Sequence, residues 1–285
     1  MEYKVTAPGT LLPFLLEAMA GRSRSAVKSC LTHGRVSVNG CRTTRHDTPL
    51  RAGDTVAVSQ QKTAGTLRHP MLRVLYEDEY LIVADKRNGL LSVGTDKEQV
   101  KTAFRILSDY IKRNDPAARL FVVHRLDRET SGLIIYAKDQ TTQEMLQRNW
   151  KDAVRDRRYA AVTEGRLPES KGTITTLLRE DRSRKMWASL HGTGEKAVTD
   201  YSVLRQGKDY ALVELSLRTG KKNQIRAHME WMGTPIAGDR KYGARTNPAG
   251  RVCLHAYQLC FVHPRTGGLL DFSTGIPRLF EETVV

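Results

Sequence analysis

The sequence predicts an α+β fold in which a large mixed sheet is combined with a few helices. Two observations indicate this class. From Leu72 onward, runs rich in Val, Ile, Leu and Tyr recur at short intervals, which is typical of strands. Segments with helical spacing are few, and they lie near residues 11–32, 102–112 and 140–150. At 285 residues the chain can hold one large domain and one small one.

The N-terminal segment, residues 1–60, predicts a small unit of two helices and short strands. Thr10 and Ser23 are typical N-caps, the first for a helix over Leu11–Ala18 and the second for a helix that Gly34 ends. Short strands follow, one of them entering an Asn-Gly turn. The next stretch is polar and lacks periodicity, and we interpret residues 61–70 as a linker.

The remaining residues, 71–285, predict the larger domain. Its expected helices and strands, in chain order, are two strands within 72–86, a helix over 102–112, strands at 120–123 and 133–136, a helix over 140–150, a strand from 155, and strands at 172–178, 185–190, 197–204 and 210–217. We find no repeat and no long low-complexity tract.

Charge is the strongest signal in the composition. The formal net charge is +15, and both the N-terminal segment and the remainder carry an excess of basic side chains. This favours a polyanionic partner such as nucleic acid, although a generally basic soluble protein has the same composition. No apolar run reaches the length that crosses a membrane. The four cysteines lack metal-ligand spacing, so we expect reduced thiols in a cytoplasmic protein.

One charged turn stands out between two apolar runs. Asp127 follows the run 120–123 and precedes the run 133–136, with Arg125 and Arg128 beside it. Burial raises the pKa of a carboxyl group and a nearby guanidinium lowers it, so this setting suits a nucleophile that stays ionised. A lone Asp in a loop, however, commonly caps a turn.

The sequence around Asp127 resembles the catalytic motif of the RluA-type RNA pseudouridine synthases. The matching text is His-Arg-Leu-Asp-x-x-Thr-Ser-Gly-Leu from His124 onward. Tyr159 takes the position of the active-site tyrosine of that family, and the run from Gln224 to His228, which contains Arg226, fits a second motif. The likeness covers nearly all of residues 72–280. Three positions depart from the family pattern, namely Arg87 for Pro, Lys221 for Arg and Asn223 for His.

The resemblance implies a pseudouridine synthase domain with a mainly antiparallel sheet and assigns roles within it. Asp127 would be the nucleophile or general base at the sugar, and Arg226 would pair with it and keep it charged. Tyr159 would stack on the uracil and transfer a proton, and Arg125 would contact the RNA. The reaction needs no metal and no cofactor. Attack at C1′ and a route through a glycal both remain open.

The N-terminal segment resembles an S4 RNA-binding domain, through the helix pair followed by Gly-Arg-Val-x-Val-Asn-Gly. This implies that Arg22, Arg24, Lys28 and Arg35 face RNA phosphates. The alternative for each of them is an ordinary solvated side chain.

The combined resemblance predicts the isomerisation of uridine to pseudouridine in RNA. Large-subunit ribosomal RNA is the first expected target and transfer RNA the second, with the protein acting as a monomer. A noncatalytic RNA-binding or ribosome-assembly factor on the same fold is the alternative. A zinc deaminase and a phosphate-loop NTPase are disfavoured because their motifs are not found in the sequence.

Overall fold

The computed structural model describes residues 1–32, 34–59, 67, 69–94, 101–113 and 115–285. The chain divides into two compact units, both discontinuous in sequence. Unit 1 comprises residues 1–126, 132–156 and 258–275, and unit 2 comprises residues 127–131, 157–257 and 276–285.

The helices and strands follow in chain order. The first part contains β1 (Glu2–Lys4), β2 (Gly9–Thr10), α1 (Leu11–Ala18), α2 (Arg24–Thr32), β3 (Val36–Val38), β4 (Cys41–Thr43), β5 (Pro49–Leu50), β6 (Thr55–Val58), β7 (Leu72–Glu77), β8 (Leu81–Lys86), α3 (Ala103–Lys112), β9 (Phe121–Val122), β10 (Ser131–Ala137), α4 (Gln140–Arg148) and α5 (Trp150–Ala153). The second contains β11 (Val154–Glu164), β12 (Lys171–Glu180), β13 (Met186–Ser189), β14 (Glu195–Gln206), β15 (Tyr210–Leu217), α6 (Gln224–Trp231), a 3-10 turn (Arg240–Tyr242), β16 (Leu254–Val262), β17 (Leu269–Ser273) and α7 (Arg278–Thr283).

The N-terminal segment forms the predicted helix pair and short strands around an apolar cluster of its own. Leu11 and Leu15 of α1 pack in one cluster with Val27 of α2 and Val36 of β3, and all four are fully buried. Ser23 caps α2 as predicted, because its Oγ accepts the N–H of Ala26 at 3.2 Å. Thr10 stands at the N-cap of α1, but its side chain makes no cap hydrogen bond.

Strands of the N-terminal segment also pair with the end of the chain. Within unit 1, β4 runs parallel to β17, with Arg42 opposite Leu270. The Thr44 hydroxyl donates to the Ser273 carbonyl at 3.0 Å and accepts the Ser273 N–H at 2.6 Å. The predicted linker falls largely outside the described residues, so a boundary at 61–70 stays a prediction. Removing the N-terminal segment would nevertheless leave β17 without its parallel partner.

Unit 2 contains a run of antiparallel strands in the order β11-β15-β14-β12-β13. Helix α6 packs on this run through Ala227, which shares an apolar cluster with Leu178, Met186 and Tyr242. The antiparallel strands of both units, with β4 and β17 as a parallel exception, confirm the predicted α+β class. The sequence did not predict α6, because its buried residues include the polar Gln224, Arg226 and His228 and its apolar residues therefore form no helical stripe.

The four cysteines are free thiols. Cys30 and Cys253 are buried, and Cys41 and Cys260 are partly buried. Burial raises the pKa of the Cys253 thiol to about 11 and that of Cys260 to about 12, and it also raises that of Cys41. In the described part of the chain, no helix is both long and apolar enough to span a membrane.

Candidate active site

Asp127 is half-buried in the turn that opens residues 127–131 of unit 2. The Thr130 N–H donates to the Asp127 carbonyl at 3.1 Å and closes the turn. The other end of the turn is held at Ser131, whose Oγ lies 2.7 Å from His255 Nδ1 and accepts from Arg251 Nη2 at 2.7 Å. The backbone that carries Asp127 is therefore fixed at both ends.

Arg226, on the first turn of α6, has a different hydrogen-bonded partner from the one that the sequence predicted. Its Nε and Nη2 donate to the two carboxylate oxygens of Asp239 at 2.6 and 2.7 Å, a bidentate pair in which both side chains are buried. Asp127 acts on Arg226 through its charge. Burial disfavours the charged guanidinium, but the hydrogen bonds and charge of Asp239, followed by the charge of Asp127, raise the pKa of Arg226 above its ordinary value.

Two neighbours complete the setting of Arg226. Asn223 has a left-handed backbone (φ 50°) at the N-cap of α6, and its Oδ1 accepts from Arg226 Nη1 at 3.2 Å. The Tyr242 ring lies 4.7 Å from the guanidinium carbon, a cation–π distance. Asn223 thus supplies a hydrogen-bond acceptor at a position where the related motif has His. Lys221, the neighbouring departure, forms an ion pair with Glu195 at 2.6 Å.

The turn that presents Asp239 depends on a glycine. Gly238 has φ +83°, and a Cβ there would lie 2.1 Å from the Arg251 carbonyl oxygen, so no other residue fits without moving the backbone. The Asp239 carbonyl accepts the N–H groups of Tyr242 and Ala244 at 2.9 and 3.1 Å. These bonds fix the backbone of Asp239, and with it the partner of Arg226.

Tyr159 lies on β11 opposite Leu215 of β15, and only 5% of its surface is exposed. Burial raises the pKa of its hydroxyl, the guanidinium of Arg157 opposes this effect, and the charge of Asp127 adds to it. The Arg157 guanidinium lies 5.8 Å from the Tyr159 ring centroid. Tyr159 is therefore a neutral ring and hydroxyl near physiological pH, within reach of the Asp127 charge.

The histidines of the two sequence motifs are held by hydrogen bonds. His228 of α6 is fully buried between the hydroxyls of Thr176 (2.9 Å) and Thr199 (2.8 Å), and burial lowers its pKa to about 4. His124 accepts the N–H of Ile135 through Nε2 at 3.1 Å. Neither setting requires a catalytic role, since a satisfied hydrogen bond is enough to account for a histidine in such a place.

Unit 2 thus brings both Tyr159 and Arg226 within electrostatic reach of Asp127 and adds Asp239 and Tyr242. The sequence contained a signal for the two added residues, because both lie in the stretch 233–243 that fits the family pattern. Their distance along the chain from Arg226 gave no reason to pair them with it. In chemical terms the site offers an ionisable carboxyl group near a compensated arginine and two neutral tyrosines.

The predicted RNA-binding residues lie in unit 1. Arg125, Arg22, Arg24 and Lys28 are exposed. Arg35 is half-buried, and its Nε has no hydrogen-bond partner. Arg22 and Arg35 line the same cavity of about 200 Å³, together with Ser59 and Cys30.

Arg87, the third departure from the family pattern, is exposed and lies in the loop after β8. Its backbone N–H donates to the Met71 carbonyl at 2.9 Å, a bond that a proline could not make. The buried ammonium of Lys86 donates to the Leu90 carbonyl at 2.8 Å across the same loop. Where the family pattern has a rigid proline ring, Arg87 therefore holds the loop through a backbone hydrogen bond.

Comparisons with known proteins identify the family. Residues 80–231 match the RNA pseudouridylate synthase family. The chain is 32% identical over 278 residues to the uncharacterised RNA pseudouridine synthase YlyB of Bacillus subtilis, covering 95% of this chain and 91% of that protein. It is 32% identical over 287 residues to the ribosomal large subunit pseudouridine synthase D of Neisseria meningitidis serogroup B, covering 95% of this chain and 76% of the relative.

Solved structures show the same fold. Human RNA pseudouridylate synthase domain containing 4 matches with a TM-score of 0.59 and 28% identity, over 74% of this chain and 90% of that one. Human RNA pseudouridylate synthase domain containing 1 has the same TM-score at 23% identity, over 76% of this chain and 87% of that one, and is similar in fold. The chain belongs to the RNA pseudouridylate synthase family. It is accordingly an RNA-modifying isomerase.

Proposed function

We propose that the chain converts uridine to pseudouridine in large-subunit ribosomal RNA, with Asp127 as the group that acts at the sugar. The observation that carries this proposal is the set of residues within unit 2. The charge of Asp127 acts on both Arg226 and Tyr159, the two other residues that the family motifs assign to the site. A carboxylate beside the ribose can form a bond at C1′ or remove a proton at C2′ while the uracil detaches.

Each neighbour has a distinct part in this proposal. Arg226 is paired with Asp239, and its charge also favours the ionised form of the nearby Asp127 carboxyl group. Tyr159 presents a ring and a neutral hydroxyl to the detached uracil, which must turn so that C5 replaces N1 at C1′. The uridine must leave its stack before any of these contacts form. No step in this scheme calls for a cofactor.

The choice of RNA rests on relatives. The Neisseria protein is called a ribosomal large subunit pseudouridine synthase, and it aligns with 95% of this chain. We infer the same class of RNA here and keep transfer RNA as the second candidate. The N-terminal segment, as an S4-like unit, would hold phosphates through Arg22, Arg24, Lys28 and Arg35. A monomeric state and a cytoplasmic location also remain predictions.

The direct test is formation of pseudouridine by the purified protein. An unmodified transcript of large-subunit RNA carrying tritium at uracil C5 should release tritium when incubated with the enzyme alone. Mapping of the product, and of ribosomal RNA from a strain that lacks the gene, should identify the same uridine. Failure to release tritium from either ribosomal or transfer RNA transcripts would favour the noncatalytic RNA-binding alternative.

A further inference from the structure

The β12–β13 hairpin of unit 2 presents a tryptophan to solvent. Trp187 is one of three tryptophans in the chain, and 48% of its surface is exposed. It lies on β13, whose described pairing is with β12 alone, and there it stands opposite the exposed Arg179. A single exposed aromatic residue is ordinary on a protein surface, so the case for a binding site here rests on how the indole is held and on the charges beside it.

The indole is held in one orientation. Its Nε1–H donates to Asp181 Oδ2 at 2.7 Å, while Asp181 Oδ1 accepts from the Ser183 hydroxyl at 2.7 Å and from the Lys185 N–H at 2.9 Å. The hydrogen bond from Trp187, followed by the one from Ser183, holds the pKa of Asp181 well below its usual range. The carboxylate therefore stays ionised and continues to accept the hydrogen bond from the indole Nε1–H.

A cation fixes one ring face. Lys185 Nζ lies 3.9 Å from the ring centroid of Trp187 and donates to Glu230 Oε1 of α6 at 2.7 Å. These two contacts engage one ring face and the Nε1 edge, while 48% of the residue remains exposed. Such a ring loses little conformational entropy when a flat group stacks on it.

The hairpin is also joined to the candidate active site. The Met186 N–H, next to Trp187 in the chain, donates to the Tyr242 hydroxyl at 3.1 Å. Tyr242 in turn stacks on the guanidinium of Arg226. A group bound at Trp187 is thus connected to the reacting site through a short chain of contacts within one compact unit.

The surrounding charge is positive. Arg182 and Arg184 are exposed in the turn between β12 and β13, and Lys241 Nζ donates to the Arg184 carbonyl at 3.1 Å. Together with Arg179, which is opposite Trp187 on β12, they place cations suited to phosphodiester groups on the same hairpin as the indole. A flat exposed ring among cations is the combination that binds unpaired nucleotides, since bases stack on aromatic faces and phosphates pair with arginine.

We propose that Trp187 is a stacking platform for an unpaired base of the RNA substrate other than the target uridine, with Arg179, Arg182 and Arg184 contacting the flanking phosphates. This inference rests on the proposed function and extends it to the RNA around the target. It predicts that the enzyme prefers a target with an unpaired nucleotide nearby.

Binding of RNA by full-length variants tests the platform. The probe is a fluorescein-labelled unpaired RNA of about 20 nucleotides, long enough to span a binding site of the usual size. Trp187→Ala should weaken binding about 5- to 150-fold, the range for loss of one base–aromatic stack. Trp187→Phe keeps a ring without the bond to Asp181 and should bind nearly as wild type. Trp231→Phe, at a tryptophan of α6 that is 41% exposed, is the matched control.

The possible outcomes are distinct. Equal losses in the Ala and Phe variants would mean that the indole only holds the hairpin together, and wild-type affinity in Trp187→Ala would mean that no base stacks there; either result overturns the proposal. Single abasic positions in the RNA should identify one nucleotide whose removal no longer matters in Trp187→Ala. If the wild type binds in this pattern but releases no tritium from any transcript, the proposed function fails and the platform stands.

Discussion

Arg226 and Arg35 are both arginines with limited contact with water, but they differ in their hydrogen-bond partners. Arg226 has its counterion within the chain, since Asp239 binds it through two hydrogen bonds. Arg35 has a buried Nε without a hydrogen-bond partner and shares a cavity with the exposed Arg22. The first arrangement is complete without RNA, which suits the positioning role that we propose for Arg226. The second leaves hydrogen-bonding capacity for a ligand, as binding requires.

The strongest test of the first region is Asp127→Asn. The amide cannot act as an anionic nucleophile or base, so we expect tritium release to fall by about 10³-fold or more while the fold is kept. Circular dichroism and RNA affinity should match those of the wild type. Appreciable pseudouridine formation by this variant on a natural RNA would remove Asp127 from the mechanism.

Breaking the buried ion pair should have the next largest effect. Arg226→Met leaves Asp239 buried and uncompensated, which costs about 3–5 kcal/mol of unfolding free energy, and the loss of charge beside Asp127 should lower turnover about 10²–10³-fold. The double variant Arg226→Met, Asp239→Asn removes both charges and should regain part of the stability but none of the turnover. Urea unfolding and single-turnover rates separate these two effects.

A result in which the double variant recovers activity would show that Arg226 serves only to neutralise Asp239. The pH–rate profile of Arg226→Met supplies a second reading. Loss of a cation near Asp127 should move the acid limb of the profile to higher pH, because the carboxyl group becomes harder to ionise.

The second region is tested by salt dependence. Deletion of the N-terminal segment is a poor tool, because β17 would lose its partner β4. The full-length triple variant Arg22→Gln, Arg24→Gln, Lys28→Gln should instead reduce the slope of log affinity against log salt by about 2, at about 0.7 per phosphate contact on single strands. The control removes the same charge at Lys112, Arg113 and Lys151, which are exposed elsewhere in unit 1.

Equal salt slopes for the triple variant and its control would assign the N-terminal cations to a solvated face. Turnover of saturating RNA should change little in either variant, since Asp127, Tyr159 and Arg226 all lie in unit 2.

The smallest effect concerns a half-buried carboxyl group whose charge is poorly compensated. Asp271 of β17 accepts a hydrogen bond from Gln258, and burial raises its pKa to about 6. The folded state therefore binds a proton more tightly than the unfolded state, whose pKa is 3.8. Stability should fall as pH rises from about 4 to 6, and Asp271→Asn should be more stable than the wild type by about 1–3 kcal/mol at pH 7. The two proteins should have similar stability at pH 4, as urea titrations at both pH values would reveal.

Elements whose residues alternate or show a helical stripe were predictable from the sequence. Helix α1 and strand β15 have the predicted bounds, Leu11–Ala18 and Tyr210–Leu217. Helix α6 was missed because its buried residues include Gln224, Arg226 and His228, which a hydrophobic pattern counts as polar. These side chains are buried because tertiary partners satisfy them, and such partners cannot be read from local sequence.

The candidate site shows the same limit. Asp127, Tyr159 and Arg226 were identified from a family resemblance, and unit 2 brings them together. The bidentate partner of Arg226 was not identified, because it depends on a turn at Gly238 that packs against Arg251. Close approaches of this kind depend on the whole fold, and a glycine is the only sign of them in the local sequence.

The raised thiol pKa values have a practical consequence for spectroscopy. Thiolate is the species that reacts with maleimides, and burial together with a high pKa keeps Cys253 and Cys260 in the unreactive thiol form near neutral pH. An engineered cysteine at an exposed position such as Leu190, 57% accessible, should therefore be labelled ahead of the native ones. Fluorescent dyes for single-molecule observation of RNA capture could then be attached without first removing any native cysteine.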